Sequence, residues 1–369
     1  NQVGLERLNT ATTKKIGTNK NLIINGAMQV AQRGTSSTTS GGFCVDRFQF
    51  FHSGTDEAPT FAQADVASGT TPYTLGFRKS LKVTNGNQTS GAGASDYVWF
   101  QNKYESQDIA NSGWNYTSSS SFITLSFWVK SSVAQNFYGY YETLDSPEYI
   151  YPFETGSLSA NTWTKVTKTI PGNSNLVFNN DNGAGLNINL LPFFGTDFTA
   201  SGVSLNTWAA YASGTRTPDY TSTWYTTNDA TFEFTGVQLE VGSVATDFEH
   251  RSYGQELALC QRYYQRIPLK DPSTAYSFIA SGMSSGTTAA LFTVPFKTHM
   301  RANPSLGHSG NFRVYNGGGI AVTGLSTNAS SVDNFSLQIS VSSGLTQATG
   351  VLFGTNNDVD AHLQFIAEL

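Results

Sequence analysis

The 369-residue sequence predicts an all-β protein built from antiparallel strands in two modules. Charged residues make up only 13% of the chain and aromatic residues another 13%, and Gly, Ser, Thr and Asn are abundant, as in a turn-rich β protein. Apolar residues alternate with polar residues in many short runs, which indicates strands. Only one stretch has a convincing helical pattern, so helices do not separate the strands and a parallel α/β fold is excluded.

The first segment, residues 1–20, is polar and includes Lys14, Lys15 and Lys20. It has too few apolar residues to pack alone. We therefore expect an arm that becomes ordered only against another chain.

Residues 21–252 are predicted to form the larger module, with short strands joined by Gly-, Ser-, Asn- and Thr-rich loops. The clearest strand covers residues 122–130. Its alternation indicates a half-buried antiparallel strand. One face carries Ile123, Leu125, Phe127 and Val129, and the other Thr124, Ser126, Trp128 and Lys130. Weaker strand patterns occur at residues 45–51, 81–84, 137–144, 163–170 and 186–190.

The last strand of this module, residues 232–241, changes phase in its middle. The apolar alternation begins on Phe232 and Phe234 and resumes on Val237, one residue out of step. Gly236 lies at the change. A glycine where the register slips predicts a β-bulge.

A connector helix is predicted over residues 253–267. Tyr253, Leu257, Cys260 and Tyr264 fall at spacings of four, three and four, which places them on one helical stripe. Ser252 is a suitable N-cap and Pro268 ends the helix.

Residues 268–369 are predicted to form a smaller C-terminal β-sandwich. Apolar residues alternate over 290–296, 335–341 and 363–369, and glycine-rich turns separate these runs. About a hundred residues with this pattern suit a second, smaller core.

Charge and composition exclude several classes of function. The formal charge is −5 and no run of Lys or Arg exceeds two residues, so no nucleic-acid surface is predicted. No stretch approaches the roughly 20 apolar residues that a membrane span needs. Cys44 and Cys260 are expected to be reduced, partly buried thiols, although a disulfide between them remains an alternative.

The sequence predicts no enzyme, no cofactor and no metal site. The five histidines are scattered, without zinc-ligand spacing. Residues 282–286 match the Gly-x-Ser-x-Gly pattern of serine hydrolases, but that motif works at a strand-to-helix elbow, and here a strand pattern follows.

A tyrosine-rich segment carries the densest group of acidic residues. Tyrosine rings stack on sugars or bury at interfaces, and carboxylates accept hydrogen bonds from hydroxyls. The predicted ligand-binding residues are Tyr138, Tyr140, Tyr141, Glu142, Asp145, Tyr149 and Tyr151. A pair of glycosidase carboxylates, a calcium loop and an edge strand with ordinary exposed aromatics are the alternatives.

Trp128 lies on the strand face opposite the apolar one. An exposed tryptophan there would serve a contact with a ligand or another subunit, and we predict an interface residue. If the sheet is covered on both sides, Trp128 is simply part of the core.

Several motifs together resemble a family of bacteriophage virion proteins described as tail fibre or structural proteins. They are Asn-Leu-Ile-Ile-Asn-Gly at 21–26 followed by Gln-Arg-Gly, Val-Asp-Arg-Phe at 45–48, Ser-Phe-Trp-Val-Lys at 126–130, Gly-Val-Gln-Leu-Glu-Val-Gly at 236–242, and Arg-Tyr-Tyr at 262–264. Beyond these, Met-Arg-Ala-Asn-Pro at 300–304 and the ending Ile-Ala-Glu-Leu resemble the distal β domain of the family.

The resemblance implies that the larger module is a jelly roll similar to carbohydrate-binding modules, and that residues 268–369 form the tip. It also implies a homotrimer on the virion surface, docked to other virion proteins through the N-terminal arm. The expected function is that of a non-enzymatic fibre or tail appendage that contributes to attachment to host-surface glycans. A purely structural head-fibre, decoration or neck protein is the alternative, and a polysaccharide depolymerase is a third.

Overall fold

The computed structural model describes residues 20–269 and 275–369. The chain divides into a first compact unit that ends at Tyr253 and a second unit, Gly254–Glu368. The predicted N-terminal arm lies outside the described residues apart from Lys20.

Two six-stranded antiparallel sheets form the first unit. Sheet I contains, in spatial order, β1 (Ser36–Ser37), β3 (Thr60–Asp65), β4 (Lys79–Thr84), β12 (Thr231–Val241), β6 (Phe122–Ser131) and β9 (Thr164–Pro171). Sheet II contains β11 (Ala209–Ala210), β8 (Tyr149–Ser157), β7 (Asn136–Thr143), β10 (Ala184–Phe194), β5 (Tyr97–Glu105) and β2 (Gln49–Ser53). The unit is an all-β sandwich, and the predicted fold class is confirmed.

Aromatic side chains fill the space between the two sheets. Phe50 on β2 stacks on Phe61 of β3 with ring centroids 3.9 Å apart, and Phe100 on β5 meets Phe234 of β12 at 4.9 Å. Ile123, Leu125, Phe127 and Val129 of β6, predicted to share the buried face, are all 0% exposed. Because burying each such side chain contributes about 1.5–3 kcal/mol, this face fixes the register of β6.

The predicted bulge in β12 is confirmed. The pairing of β12 with β6 shifts register between Thr235 and Gln238, and Gly236 has a φ of 64°. A Cβ on Gly236 would lie 2.6 Å from the ring of Phe77. Glycine is therefore required here both by the left-handed backbone and by the close approach of that ring.

The described part of the first unit, from residue 20 on, contains three short helices: α1 (Thr71–Thr74), α2 (Ser106–Ala110) and α3 (Thr223–Thr226). A fourth helix, α4 (Tyr253–Gln261), follows, and all of it except Tyr253 belongs to the second unit. Among the described residues, no helix combines the length and hydropathy that crossing a bilayer would require.

The connector helix is shorter than predicted. It ends at Gln261, and residues Tyr264–Ile267, expected to be helical, form β13 and pair with β21 (His362–Ile366). The predicted apolar stripe of the helix is also incomplete, because Tyr253 is 54% exposed while Glu256 is buried. Pairing with a distant strand outweighs the local helical spacing of these residues. The spacing can be read from the sequence, but the identity of the partner strand cannot.

The second unit closes its strands into a barrel, where the sequence had predicted a small sandwich. The barrel contains, in order, β14 (Phe278–Ser284), β15 (Ala289–Pro295), β19 (Asn334–Val341), β18 (Gly319–Ser330), β17 (Phe312–Tyr315) and β20 (Gly350–Thr355). A three-stranded sheet of β13, β21 and β16 (Ser305–Ser309) completes the unit. Phe365 of β21 packs on Phe296 and Phe335 at 4.9 and 5.1 Å, so the sheet and the barrel share one core. Closure leaves β14 and β20 paired with each other, so neither is a free edge.

Cys44 and Cys260 are both buried, and no disulfide joins them. Burial raises the pKa of the Cys44 thiol to about 12. The expectation of buried thiols is confirmed for both residues.

Candidate functional site

Strand alternation divides the predicted tyrosine cluster between the two faces of sheet II. Tyr141 and Tyr151 point into the core between the sheets and are 1% and 3% exposed. Tyr140 is equally buried but lies on the opposite face, here called the outer face of sheet II. These rings therefore do not form one open stacking surface.

Tyr138 and Tyr149 are the half-buried members of the cluster. Tyr138 lies on the outer face, where its ring meets Tyr220 edge-on at 4.9 Å. Tyr220 holds this corner, since its hydroxyl accepts from the Tyr138 N–H at 3.2 Å and donates to the Leu191 carbonyl at 3.0 Å. Tyr149 packs at the edge of the main core.

Asp145 ties loops of the first unit together. Its carboxylate accepts from Ser106 Oγ at 2.7 Å, from the Asn179 N–H at 2.9 Å and from Asn179 Nδ2 at 2.6 Å. These three bonds use most of its acceptor capacity. The geometry gives Asp145 a structural role.

Glu142 belongs to a polar row on the outer face of sheet II. In register with it are Asn187 on β10 and, beyond that, Lys103 on β5. The next row contains Tyr140, Asn189 and Gln101. These two cross-strand rows are adjacent on the same face. We call their polar residues, Glu142, Asn187, Asn189, Gln101 and Lys103, together the polar row.

Two amide atoms of the polar row have no hydrogen-bond partner among residues 20–269 and 275–369. Asn187 Nδ2 donates to Glu142 Oε2 at 3.1 Å and to Asn189 Oδ1 at 3.3 Å, whereas Asn187 Oδ1 and Asn189 Nδ2 are buried and unpaired. Both side chains are 0% exposed, because each short amide stands between longer neighbours. Buried polar atoms left unpaired are rare in folded proteins, and a bound water or a hydroxyl group of a ligand would satisfy them.

Burial controls the ionisation of the two charged members of the row. It raises the pKa of Glu142, an effect that the hydrogen bond from Asn187 and the nearby positive charges of Arg216 and Lys103 partly offset. Burial likewise lowers the pKa of Lys103, partly offset by Glu142. Each residue thus stabilises the charged form of the other on a face where both are poorly solvated.

Arg216 brings a second cation to this face. Its Nε donates to the Tyr211 hydroxyl at 3.0 Å, and its guanidinium carbon lies 5.3 Å from the Phe198 ring centroid and 5.7 Å from that of Phe194. Arg216 belongs to a loop that crosses the outer face of sheet II. The loop therefore places a positive charge near Glu142.

Aromatic rings border the polar row along β2 and β5. Phe51 stacks on Trp99 with centroids 4.8 Å apart and planes inclined by 21°, and Tyr97 lies on the same face. All three are half-buried and so keep some surface accessible. The outer face thus combines stacking surface with hydrogen-bonding groups.

A cavity of about 340 Å³ adjoins the same face at its β8 edge. Its floor is Ile150 and Pro152, which pair in register with Glu142 and Tyr140. The rest of its lining comes from small residues between 200 and 215, mainly Ala, Ser and Thr.

Most residues of this site escaped the sequence analysis. Glu142, Tyr138 and Tyr140 were predicted, but Trp99, Gln101, Lys103, Asn187 and Asn189 were not. A signal existed in Leu-Asn-Ile-Asn-Leu at 186–190, where two amides occupy one face of an otherwise apolar strand. The apolar residues of this run predict the strand, and its two amides mark the polar face.

Trp128 lines a different cavity, of about 250 Å³, on the outer face of sheet I. The cavity is also lined by Phe77, Phe248 and His250, whose rings contact one another at centroid distances of 4.9–5.1 Å. Trp128 is half-buried against this group. Its side chain thus has partners within its own chain as well as an accessible part.

Neither metal chemistry nor the hydrolase motif gains support. Among the described residues, no group of three or more His, Cys, Asp or Glu side chains is arranged to hold a metal ion. Ser284, the serine of the Gly-x-Ser-x-Gly match, ends strand β14 and is 2% exposed. Its hydroxyl bonds to Thr346 and Thr349, so it is a buried structural residue and not an exposed nucleophile.

No protein-family model matches the chain, and no curated protein matches it in sequence. Solved structures resemble it at low scores. The enzymatically active domain of tailspike protein 4 from bacteriophage CBA120 is 12% identical, with a TM-score of 0.32, over 60% of this chain and 22% of that one. A CBM4 structure is 11% identical, with a TM-score of 0.29, over 59% and 98%. The N-terminal cellulose-binding domain of Cellulomonas fimi β-1,4-glucanase C is 12% identical, with a TM-score of 0.26, over 59% and 99%. These similarities concern the fold alone.

Proposed function

We propose that this chain is a non-enzymatic subunit of a bacteriophage fibre or tail appendage, exposed on the virion, and that it contributes to attachment to host-surface glycans. The glycan binds on the outer face of sheet II. The virion assignment rests on the set of sequence motifs at residues 21–48, 126–130 and 236–264. The glycan assignment rests on the polar row.

The unpaired amides carry the proposal. Asn187 Oδ1 needs a donor and Asn189 Nδ2 needs an acceptor, and leaving each one buried and unpaired costs about 1–3 kcal/mol. A sugar hydroxyl both donates and accepts, so two neighbouring hydroxyls satisfy both atoms. Glu142 accepts from a further hydroxyl.

The aromatic border supplies the other half of sugar recognition. Trp99, Phe51 and Tyr97 offer ring surface beside the polar row, and the C–H face of a pyranose packs on such rings. Ligand sites combine apolar surface with a few converging polar groups in this way.

The proposal includes no catalysis. Asp145 accepts hydrogen bonds from Ser106 and Asn179, and Ser284 is buried at the end of β14. The chain is then a binding subunit, and we expect no new reducing ends when it is incubated with host polysaccharide. A rising reducing-end signal would instead favour a depolymerase.

A glycan array and host envelope extracts test the binding role. Wild-type protein should bind one or more glycans, Asn189→Ala should lose that binding, and Asn175→Ala should keep it. Asn175 is a matched control because it is exposed and lies in the loop between β9 and β10, outside the polar row. Absence of binding to every glycan and extract would exclude receptor attachment at this face.

A purely structural head-fibre, decoration or neck protein is the second candidate. It is favoured by the burial of Tyr140, Tyr141 and Tyr151, which removes most of the predicted stacking surface.

In either role we propose a homotrimer, with Trp128 at a subunit contact and the N-terminal arm bound to other virion proteins. A light-scattering mass near three chains, reduced in Trp128→Ala, is expected; a single-chain mass for the wild type would contradict the trimer. Electron microscopy of labelled particles then distinguishes tail from head.

A further inference from the structure

Arg313 stands among three aromatic rings on the outside of the second unit's barrel. Its guanidinium carbon lies 4.4 Å from the Tyr276 ring centroid, 5.4 Å from that of Phe278 and 5.7 Å from that of Tyr315. Tyr276 and Phe278 are each 52% exposed and Tyr315 is 36% exposed. We call these four residues the Arg313 cluster.

The strand register builds this cluster. Phe278 on β14 and Arg313 on β17 are both paired with Gly354 of β20, so they lie in one row with a glycine between them. A Cβ on Gly354 would lie 2.3 Å from the Ser277 carbonyl oxygen. Without a side chain at that point, the arginine extends across β20 toward the Phe278 ring. Tyr315, two residues after Arg313, faces the same side of its strand.

No anion neutralises Arg313 in the described part of the chain. It has no ion pair or hydrogen bond there, and its Nε is buried and unpaired. The guanidinium carries five N–H donors in a fixed plane. The three rings lie within cation–π distance of the guanidinium and take none of its N–H donors.

We propose that the Arg313 cluster binds a sugar that carries a carboxylate, such as a uronic or sialic acid. The guanidinium offers two parallel N–H groups that match the two oxygens of a carboxylate, an arrangement that lysine does not reproduce. The exposed rings beside it offer stacking surface for the sugar ring. The unpaired positive charge selects an acidic sugar over a neutral one.

This site lies in the second unit and shares no residue with the polar row of sheet II. Evidence for or against binding at this site therefore does not bear on the glycan face proposed above. The two sites are separable by variants in different units.

Saturation-transfer difference NMR on the full chain tests the proposal. The probes are sodium glucuronate, sodium galacturonate and N-acetylneuraminate, with glucose and galactose as neutral counterparts. We expect transfer to at least one acidic sugar and little to its neutral counterpart. Arg313→Gln should weaken acidic-sugar binding about tenfold or more, and Arg313→Lys should restore it only in part.

Lys297→Gln is the matched control, because it removes an exposed charge from the same unit outside the cluster. Circular dichroism verifies that each variant is folded. Phe278→Leu, which removes an exposed ring, gives a second reading if Arg313→Gln does not fold, and it should also weaken acidic-sugar binding. Equal transfer to acidic and neutral sugars would overturn the proposal. So would unchanged binding in both cluster variants, or binding of a hexaglutamate peptide while all three acidic sugars fail.

Discussion

Asn187 Nδ2 donates to Glu142 Oε2 at 3.1 Å across neighbouring strands of sheet II, and the same amide leaves its Oδ1 buried and unpaired. The amide NH₂ group of Asn187 therefore holds the Glu142 carboxylate in place, while the amide oxygen has no hydrogen-bond donor among the described residues. A purely structural network would gain stability from pairing both halves. The unpaired Oδ1 is the observation on which the proposed glycan face depends.

Replacing Asn189 by leucine should separate stability from binding. The substitution removes the unpaired Nδ2 together with the Oδ1 that accepts from Asn187 at 3.3 Å, and it adds apolar surface of similar size. The gain and the loss offset each other, so we expect a free energy of unfolding within about 1 kcal/mol of wild type. Glycan affinity should fall at least about tenfold, or 1.4 kcal/mol. Urea unfolding and isothermal titration with an array-selected glycan measure the two quantities.

Tryptophan fluorescence suits the unfolding measurement. All six tryptophans precede Tyr253, so their emission reports the first unit alone. A large loss of stability together with unchanged glycan affinity would show that Asn189 is structural.

Replacing Glu142 by glutamine should change how stability depends on pH. Burial raises the pKa of Glu142 above 4.5 in the folded protein, so between 4.5 and that raised value the folded state binds more protons than the unfolded state. The wild-type free energy of unfolding therefore loses a contribution as pH rises through this window. Glutamine does not titrate, so the variant lacks this loss.

The difference in unfolding free energy, Glu142→Gln minus wild type, is thus expected to increase with pH from about 4.5 and to level off once Glu142 is ionised. Urea unfolding at a series of pH values measures it. Parallel curves for the two proteins would contradict the raised pKa.

The sequence was a good guide wherever a single strand decides the outcome. Alternation in residues 122–130 identified the buried face of β6, and the phase change at Gly236 located the bulge in β12. Such features depend on local geometry, with a period of two residues and a glycine-specific backbone. They need no knowledge of the neighbouring strands.

Features that depend on distant strands were not predicted. Lys103, Glu142 and Asn187 come together only because β5, β7 and β10 are neighbours in sheet II. The tyrosines of β7 were predicted as one surface, although Tyr140 and Tyr141 necessarily face opposite sides of the sheet. Tyr264–Ile267 was assigned to a helix because its partner β21 lies a hundred residues later.

Cys44 should resist alkylation in the folded protein. With a pKa of about 12, its thiolate fraction at pH 8 is on the order of one in ten thousand, and burial also blocks access. We expect iodoacetamide to label the Cys44 peptide slowly in buffer and rapidly in urea, as quantified by mass spectrometry. Complete labelling within minutes in buffer would show that this part of the core opens readily.

Replacing Gly236 by alanine should destabilise the first unit by about 1–3 kcal/mol, because alanine is strained at a φ of 64°. The new Cβ would also lie 2.6 Å from the Phe77 ring and push it toward Phe248 and His250. Gly214→Ala is the control, since its Cβ would meet its nearest neighbour at 3.6 Å, and we expect a change within about 0.5 kcal/mol. Urea unfolding followed by tryptophan fluorescence compares the two variants. Equal losses of stability in the two variants would show that the bulge is not the constraint that fixes glycine at position 236. A loss confined to Gly236→Ala would show that the bulge and the Phe77 ring beside the Trp128 cavity form one packed unit.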